Sequence, residues 1–518
     1  MATSAINHII IIGGGSAGWL SAGLIAAQGH LTHNAKVTLI ESPEVATLGV
    51  GEGTWPTMRK TLKTIGISET QFIRECDASF KQGSRFDGWC DDKSNDDSND
   101  YYYYHPFSLP VAYQSLNIAP YWFAQQQAVS FSHAVASQSY FCDHHKAPKT
   151  HLHSDYQAQA NYGYHLDAGK FAQLLMRHCV TKLNVNHLLS HVDEVINDEE
   201  GYISGVKTRD HGLITGDLFI DCSGHHGRLI DKHYQVPLES QQHILFNNRA
   251  VAVQVPYANS KQAILSYIKA TAQDSGWIWD IGLQTRRGVG MVYSSEYETN
   301  QGAKDKLLSY LKTTQSELDV SQLTIRELSF QPGYRTQFWH KNCIAIGMSA
   351  GFIEPLEASA LVMVELGLNT LLANFPTHRN AMPQLSKRFD QQCHYRWQRI
   401  IEFLKLHYVL SKRSSDYWQA HRDTSTIPQT LLDNLALWQY QSPWLNDFDR
   451  AQEVFSAASY QFILYGMKHL PAFPKMNMPA SIIEHFTNNQ QAAKQGLANL
   501  PTNRQLLEHI QKFGLQPI

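Results

Sequence analysis

The sequence predicts an α/β fold: a dinucleotide-binding module, a mostly antiparallel β-sheet region inserted into it, and a helical C-terminal part. Three observations carry the prediction. The chain opens on a strand, a glycine loop and a helix. Two further buried-strand runs, Leu218 to Cys222 and Asn342 to Ile346, lie far along the chain, so the first sheet is interrupted and resumed. Between them, residues 245–340 carry the two-residue alternation and turn residues of hairpins. The module is expected to span 1–90, 160–240 and 340–375, the inserted region 91–159 and 241–339, and the helical part 376–518.

His8 to Ile12 is a short β-branched run, Gly13-Gly14-Gly15-Ser16-Ala17-Gly18 follows at once, and Trp19 to Ala27 is helical in pattern. This is G-x-G-x-x-G in the strand–turn–helix setting that a dinucleotide site requires. Gly13 permits the tight turn, Gly15 lets the backbone approach a pyrophosphate, and Gly18 lets the helix lie close to the strand. Free N–H groups at the helix N-terminus face the phosphates. A second strand, Lys36 to Ile40, ends in Glu41, placed to take the ribose hydroxyls.

At 518 residues the chain is long enough for two or three domains. Its net charge of −3 gives no electrostatic footprint for nucleic acid. The 7 cysteines form no C-x-x-C pair, which fits buried thiols in a reducing compartment rather than a disulfide framework or a zinc site. The first apolar run stops at Gly13 without a basic flank, unlike a signal peptide. No stretch reaches the roughly 20 apolar residues of a spanning helix. A cytoplasmic protein without membrane contact is expected.

Residues 45–57 hold three glycines and a proline and are expected to loop over the crevice at the strand ends. Met58 to Cys76 is helical in pattern. Ala78 to Trp89 reads as one strand with Phe80 and Phe86 on one face and Lys81 and Arg85 on the other. On spacing alone Lys81 is expected to be solvated. Asp91 to Asp100 is an acidic run expected at the surface. Tyr101 to Phe107 is dense in aromatics, hence either core or the wall of a pocket for a flat ligand. Cys142, His144, His145, His151 and His153 cluster without a standard metal-site spacing, and with 26 histidines in the chain chance is the better reading.

Tyr164 to about Leu183 is expected to be one helix, and Val185 to Ile196 and Tyr202 to Thr208 strands about a turn. Trp277 and Trp279 share one face of a hairpin strand, which either packs on a helix or walls a pocket. Gly347 to Ala360 leads from the last buried strand into a helix running to about Ala373, with Pro355 in its first turn. Free N–H groups there suit an anion, and on the plainest reading Glu357 answers the helix dipole. From Arg379 on the pattern is helical, a part that covers the rest or pairs with another chain, as in a homodimer.

Taken together, these stretches resemble the flavin-dependent tryptophan halogenase family over most of the chain. Gly13 to Trp19 is similar to its FAD loop, down to the tryptophan after the last glycine. Leu48 to Thr54 resembles the strap linking its flavin and substrate sites, and Phe80-Lys81 falls where the family keeps its active-site lysine. Tyr104 to Phe107 resembles its substrate-facing aromatics, Asp217 to Gly227 its Asp-Cys-Ser-Gly segment, and Gly347 to Leu361 its Gly-Phe-x-Glu-Pro-Leu-Glu-Ser-Thr segment.

The resemblance implies an FAD module of the aromatic-hydroxylase type with a C-terminal helical cap. By that match Gly13, Gly15, Ser16, Ala17, Gly18, Glu41 and Val192 hold the ADP part of FAD, and Val50, Gly51, Met348 and Leu356 lie near the rest of it. Lys81 and Glu357 match the catalytic pair, the N–H groups of Ser359 and Ala360 the halide site, and His105 and Phe107 the residues that sandwich an aromatic substrate. The resemblance also implies FAD supplied reduced by a separate flavin reductase, a halide ion, and hypohalous acid passed to Lys81 for halogenation of an indole or tryptophan-like ring; on the spacing above, no metal is expected. An FAD-dependent aromatic hydroxylase is the alternative. Two positions depart from the family: Trp277-x-Trp279-x-Ile281-Gly282 has Gly for Pro, and Leu356-Glu357-Ala358-Ser359 has Ala for Ser. They suggest a branch that does not use free tryptophan. Bromide, the readier nucleophile, is expected ahead of chloride.

Overall fold

The computed structural model describes residues 5–44, 51–91, 101–124, 129–448, 450, 453–472 and 477–517. The acidic run 92–100 and residues 45–50 of the expected loop, Val50 among them, lie outside the described residues. The chain divides into two compact units. One comprises Met1–Ala78, Leu166–Gln241 and Gln331–Trp397, the other Ser79–His165, Gln242–Phe330 and Gln398–Ile518.

The first unit holds a six-stranded sheet in the order Trp339–His340, Cys343–Ala345, Leu218–Asp221, His8–Ile12, Lys36–Glu41 and Asn186–Leu189. The edge strand Trp339–His340 is antiparallel and the other neighbours are parallel. Parallel strands are covered on both faces, which is why their runs are apolar throughout; Ile9, Ile10 and Ile11 are fully buried. Three strands that are remote in sequence thus lie side by side at the centre of one sheet. Helices Ser16–Ala27, Ala168–Lys182 and Ala360–Ala373 belong to the same unit. The run Leu356–Ala373 is, over 18 residues, apolar enough to cross a membrane by length and composition. That corrects the expectation that no stretch is so apolar; 72% of the run is buried within the protein, as in a core helix.

The second unit holds a seven-stranded sheet in the order Arg326–Ser329, Arg249–Pro256, Arg286–Tyr293, Gly276–Gly282, Ile268–Gln273, Gly83–Asp87 and Tyr102–Pro106. Its neighbours are antiparallel except for Ile268–Gln273 beside Gly83–Asp87. On one face Val251, Val253, Val255, Ile278, Val289 and Met291 bury against Ala303, Leu307 and Leu311 of helix Asn300–Thr314. Strand alternation puts Trp277 and Trp279 on the opposite face from Ile278. The helix therefore packs on the face away from the two tryptophans.

The C-terminal part is helical as expected. Helix Met382–Val409 is followed by Asp416–His421, Gln429–Leu437, Ala457–Gly466, Ala480–Asn499 and Asn503–Phe513. A capping box between Thr502 and Gln505 starts the last of these.

Two element expectations are corrected. Ala78 to Trp89 is not one strand: Ser79–Lys81 pairs with Gly163–Leu166, while Gly83–Asp87 joins the seven-stranded sheet. The break falls at Gln82, whose N–H donates to the Ser266 carbonyl and whose amide donates to the Lys146 carbonyl, at 2.6 and 2.7 Å. Tyr164 belongs to the strand Gly163–Leu166, not to a helix. The helix begins at Ala168, after Asp167 accepts a 3.0 Å hydrogen bond from the Lys170 N–H. All seven cysteines are free and buried, and burial pushes the Cys222 and Cys393 thiols up to about 12.

Candidate active site

In the first unit the glycine loop is shaped by its neighbours. Gly13 has φ +114°, and a side chain there would strike the Cys222 carbonyl. A Cβ on Gly18 would collide with the Gly13 carbonyl, so the helix rests directly on the turn. At Gly15 a Cβ would meet nothing within 4 Å, so this point of the loop opens outward. The Glu41 carboxylate lies directly over Gly14, in the space a Cβ would fill. His187 holds it through a 2.8 Å contact from Nε2, and the Trp19 ring packs edge-on against that imidazole with centroids 5.0 Å apart. The tryptophan after the last glycine therefore orients the acidic residue through His187, which the sequence did not single out. Val192 starts the strand Val192–Asn197, two residues after Ser190, whose N–H donates to the Glu41 carbonyl at 3.0 Å.

The Asp-Cys-Ser-Gly segment is a structural corner. Asp221 is fully buried and accepts hydrogen bonds from the N–H groups of Leu229, Ile230 and Ser223 at 2.7, 2.9 and 3.0 Å. Its own carbonyl accepts from the Ser349 hydroxyl and the Ile346 N–H, so the corner fixes the start of the 347–360 segment. That segment is brought to the glycine loop: a Cβ on Gly347 would sit 2.8 Å from that of Ala17. Met348 is 38% exposed and its methyl lies beside Gly224, while Leu356 is buried.

Pro355 does not begin the α-helix. Glu357 and Ala358 take left-handed conformations, φ +66° and +56°, and the helix starts only at Ala360. Glu357 therefore lies outside the first α-helical turn, which corrects the dipole reading. It is 4% exposed, its backbone carbonyl accepts the Trp55 indole N–H at 2.8 Å, and Ser359 is buried while Ala360 is exposed at the helix N-terminus. Gly51 lies in the same unit, with φ +97°.

Helix Ala360–Ala373 also carries Glu365, which accepts hydrogen bonds from the hydroxyls of Thr57, at 2.8 Å, and Thr61. Burial pushes its carboxyl up from 4.5 to about 7. Across that window the folded protein holds a proton that the unfolded chain has released, so this group's contribution to stability falls as pH rises. Glu365→Gln is expected to gain melting temperature relative to the wild type as pH rises from about 5 to about 8. Thermal melts of both proteins at each pH check this.

In the second unit the structure overturns the solvated Lys81 expected from spacing. Lys81 is fully buried, with Nζ 5.1 Å from the centroid of the Phe107 ring. The lysine lies on the strand facing Gly163–Leu166, where Ser79 pairs with His165 and Lys81 with Gly163. His165 is fully buried, and burial together with the Lys81 charge holds its imidazole well below the usual range. Phe107 is held at both backbone ends: its N–H donates to Gln82 and its carbonyl accepts from Asn161, both at 2.9 Å. Gln82, which sequence reasoning missed, thus sets both Lys81 and Phe107. His105 is 8% exposed and faces Phe403, Phe462 and Phe455 at 5.7, 6.1 and 6.3 Å.

Trp277 and Trp279 have centroids 6.4 Å apart, and the Trp279 ring occupies the space that a Cβ on Gly290 would need. The glycine at 282 has a local reason: a Cβ there would meet Tyr257 Oη at 2.9 Å and Ile264 at 3.0 Å, and its carbonyl accepts the Ser79 hydroxyl. Cys142 of the histidine-rich stretch lies in a buried cluster with Tyr104 and Tyr267. Among the described residues no group of three His, Cys, Asp or Glu is placed to hold a metal ion.

The fold is that of the flavin-dependent halogenases. A solved tryptophan halogenase from Shewanella frigidimarina superposes with a TM-score of 0.95 at 47% identity, covering 99% of each chain. A solved tryptophan 6-halogenase from Streptomyces toxytricini gives 0.88 at 29% identity, covering 97% of this chain and 99% of that one. A tryptophan 7-halogenase of Kutzneria sp. (strain 744) is 32% identical over 82% of this chain and 80% of its own length. The tryptophan halogenase family profile matches residues 8–480, and the chain belongs to that family. It is a flavin-dependent oxidoreductase that halogenates, and hydroxylation is not favoured.

Proposed function

We propose that the chain uses reduced FAD, O₂ and halide to halogenate an indole or tryptophan-like ring, with Lys81 delivering the halogen. The observation that carries this reading is the complete burial of Lys81 beside Phe107. A fully buried ammonium beside an aromatic ring suits a functional task. The first unit fits FAD. Its loop has no room for side chains at Gly13 and Gly18, opens at Gly15, and carries the Glu41 carboxylate for ribose hydroxyls. Ser16, Ala17 and Val192 complete the ADP end, and Gly51, Met348 and Leu356 serve the other end. Val50, assigned with them, lies outside the described residues. Bound there, reduced FAD with O₂ supplies an electrophilic oxygen that converts halide to hypohalous acid.

The remaining work belongs to side chains and backbone of this chain. The left-handed Glu357–Ala358 pair followed by Ser359 forms a backbone concavity in which the N–H groups of Ser359 and Ala360 hold the halide. The Lys81 ammonium hydrogen-bonds hypohalous acid, or its neutral amine forms a haloamine with loss of water. Either way the halogen is held over one ring carbon. His105 and Phe107 clamp the ring, and the Glu357 carboxylate takes the proton that the halogenated carbon releases. A separate flavin reductase supplies the reduced FAD.

Photoreduced FAD with chloride, bromide and a panel of indoles, tryptophan among them, tests the reading. Halogenated indole is expected, with bromide ahead of chloride in direct competition. No halogenated product with either halide across a wide aromatic panel overturns it, and oxygenated product without halide points to hydroxylation.

A further inference from the structure

Three side chains just after the strap, Trp55, Thr57 and Thr61, are tied to the halide turn and to the helix that follows it within the first unit. Trp55 Nε1–H donates to the Glu357 carbonyl at 2.8 Å. The same peptide plane is held from its other side, since the Ala358 N–H donates to the Pro355 carbonyl at 2.9 Å. Thr57 Oγ1 then donates to Glu365 Oε2 at 2.8 Å, and Thr61 Oγ1 donates to Oε1. Thr57 and Thr61 stand one turn apart on helix Thr57–Ile65, so both hydroxyls reach one carboxyl. Glu365 is 1% exposed and sits on the helix whose first turn follows the halide turn.

Left-handed backbone at two successive non-glycine residues persists only where its surroundings hold it. The Trp55 bond grips the peptide that joins those two residues, and the Glu365 pair fixes the helix they feed. Neither side chain has a part in the chemistry proposed above.

We propose that Trp55 and Glu365 are positioning residues for the halide site. The indole locks the Glu357–Ala358 peptide, the carboxyl locks the helix after it, and together they aim the Ser359 and Ala360 N–H groups. The proposal rests on the reading of those two N–H groups as the halide site. It makes the segment 55–61 a determinant of halide affinity rather than of FAD affinity.

Trp55→Phe keeps the ring and removes the donor. Halide titrated into the FAD-loaded protein, followed by flavin fluorescence, gives a dissociation constant without turnover. Trp55→Phe is expected to weaken bromide binding about three- to tenfold, the worth of one hydrogen bond, and to raise the bromide KM in proportion. FAD affinity and melting temperature are expected to stay at wild-type values. The double variant Thr57→Val, Thr61→Val tests the carboxyl point in the same way if Trp55→Phe does not fold. Glu365→Gln, which keeps one acceptor, is expected to lose less than Glu365→Ala. Unchanged bromide binding in Trp55→Phe and in the threonine pair overturns the proposal. So does a parallel fall in FAD affinity and melting temperature, the mark of a merely structural contact. A wild type that binds bromide but halogenates nothing defeats the functional reading instead, and leaves the variants' binding constants to decide this one.

Discussion

Lys81→Ala is expected to lose halogenated product by about a thousandfold, within the range for removing a group that handles the reacting atoms. The amine is fully buried against the Phe107 ring, on a strand locked by Gln82 and by pairing with Gly163–Leu166. Truncation removes the buried ammonium from beside the Phe107 ring. The glycine loop belongs to the other unit, so FAD binding and consumption of reduced FAD are expected to continue in the variant, with peroxide as the product. Lys81→Met, of similar length and without charge, is expected to fold and to be equally inactive. Product measured by mass spectrometry beside FAD affinity and peroxide release makes the check. Full halogenation in Lys81→Ala ends the proposed role.

The second large effect is at the glycine loop, where two neighbouring glycines should fail differently. Gly18→Ala pushes a methyl group into the Gly13 carbonyl. Backbone meets backbone there, and the helix has to lift off the turn. A loss of about 3 kcal/mol or more in stability is expected, the upper range for overpacking, together with loss of FAD binding. Gly15→Ala adds a methyl group that meets nothing within 4 Å. That variant is expected to fold normally, with the wild-type melting temperature, yet to bind FAD about 10- to 100-fold more weakly, because the phosphates are held off their N–H donors. Melting curves and FAD titrations of the two variants separate a loop that merely needs glycine to fold from one that needs it to bind.

What the sequence made legible is local. The glycine loop, the acid closing the second strand and the hairpin with its two tryptophans are each written in a short run, and the structure forms each of them with ends shifted by a few residues. What stayed hidden depends on partners far along the chain. Lys81 alternates like a surface residue, and its burial follows from Gln82 bonding to Ser266 and Lys146. Similarity of motif singled out that lysine where spacing did not. Trp55 lies 302 residues from the Glu357 it holds, and no pattern within either segment marks the pair. The late start of the last core helix has the same character: Pro355 invites a helix, and the left-handed residues after it postpone one.

The seven buried sulfhydryls take on a meaning once hypohalous acid is part of the chemistry. Thiolate is what such oxidants consume first, and burial keeps these groups both out of reach and protonated. A catalyst that generates a bleach-like reagent is better protected from its own leakage when its thiols are sealed away. The packing of the interior is thereby expected to slow oxidation of these thiols while the enzyme works.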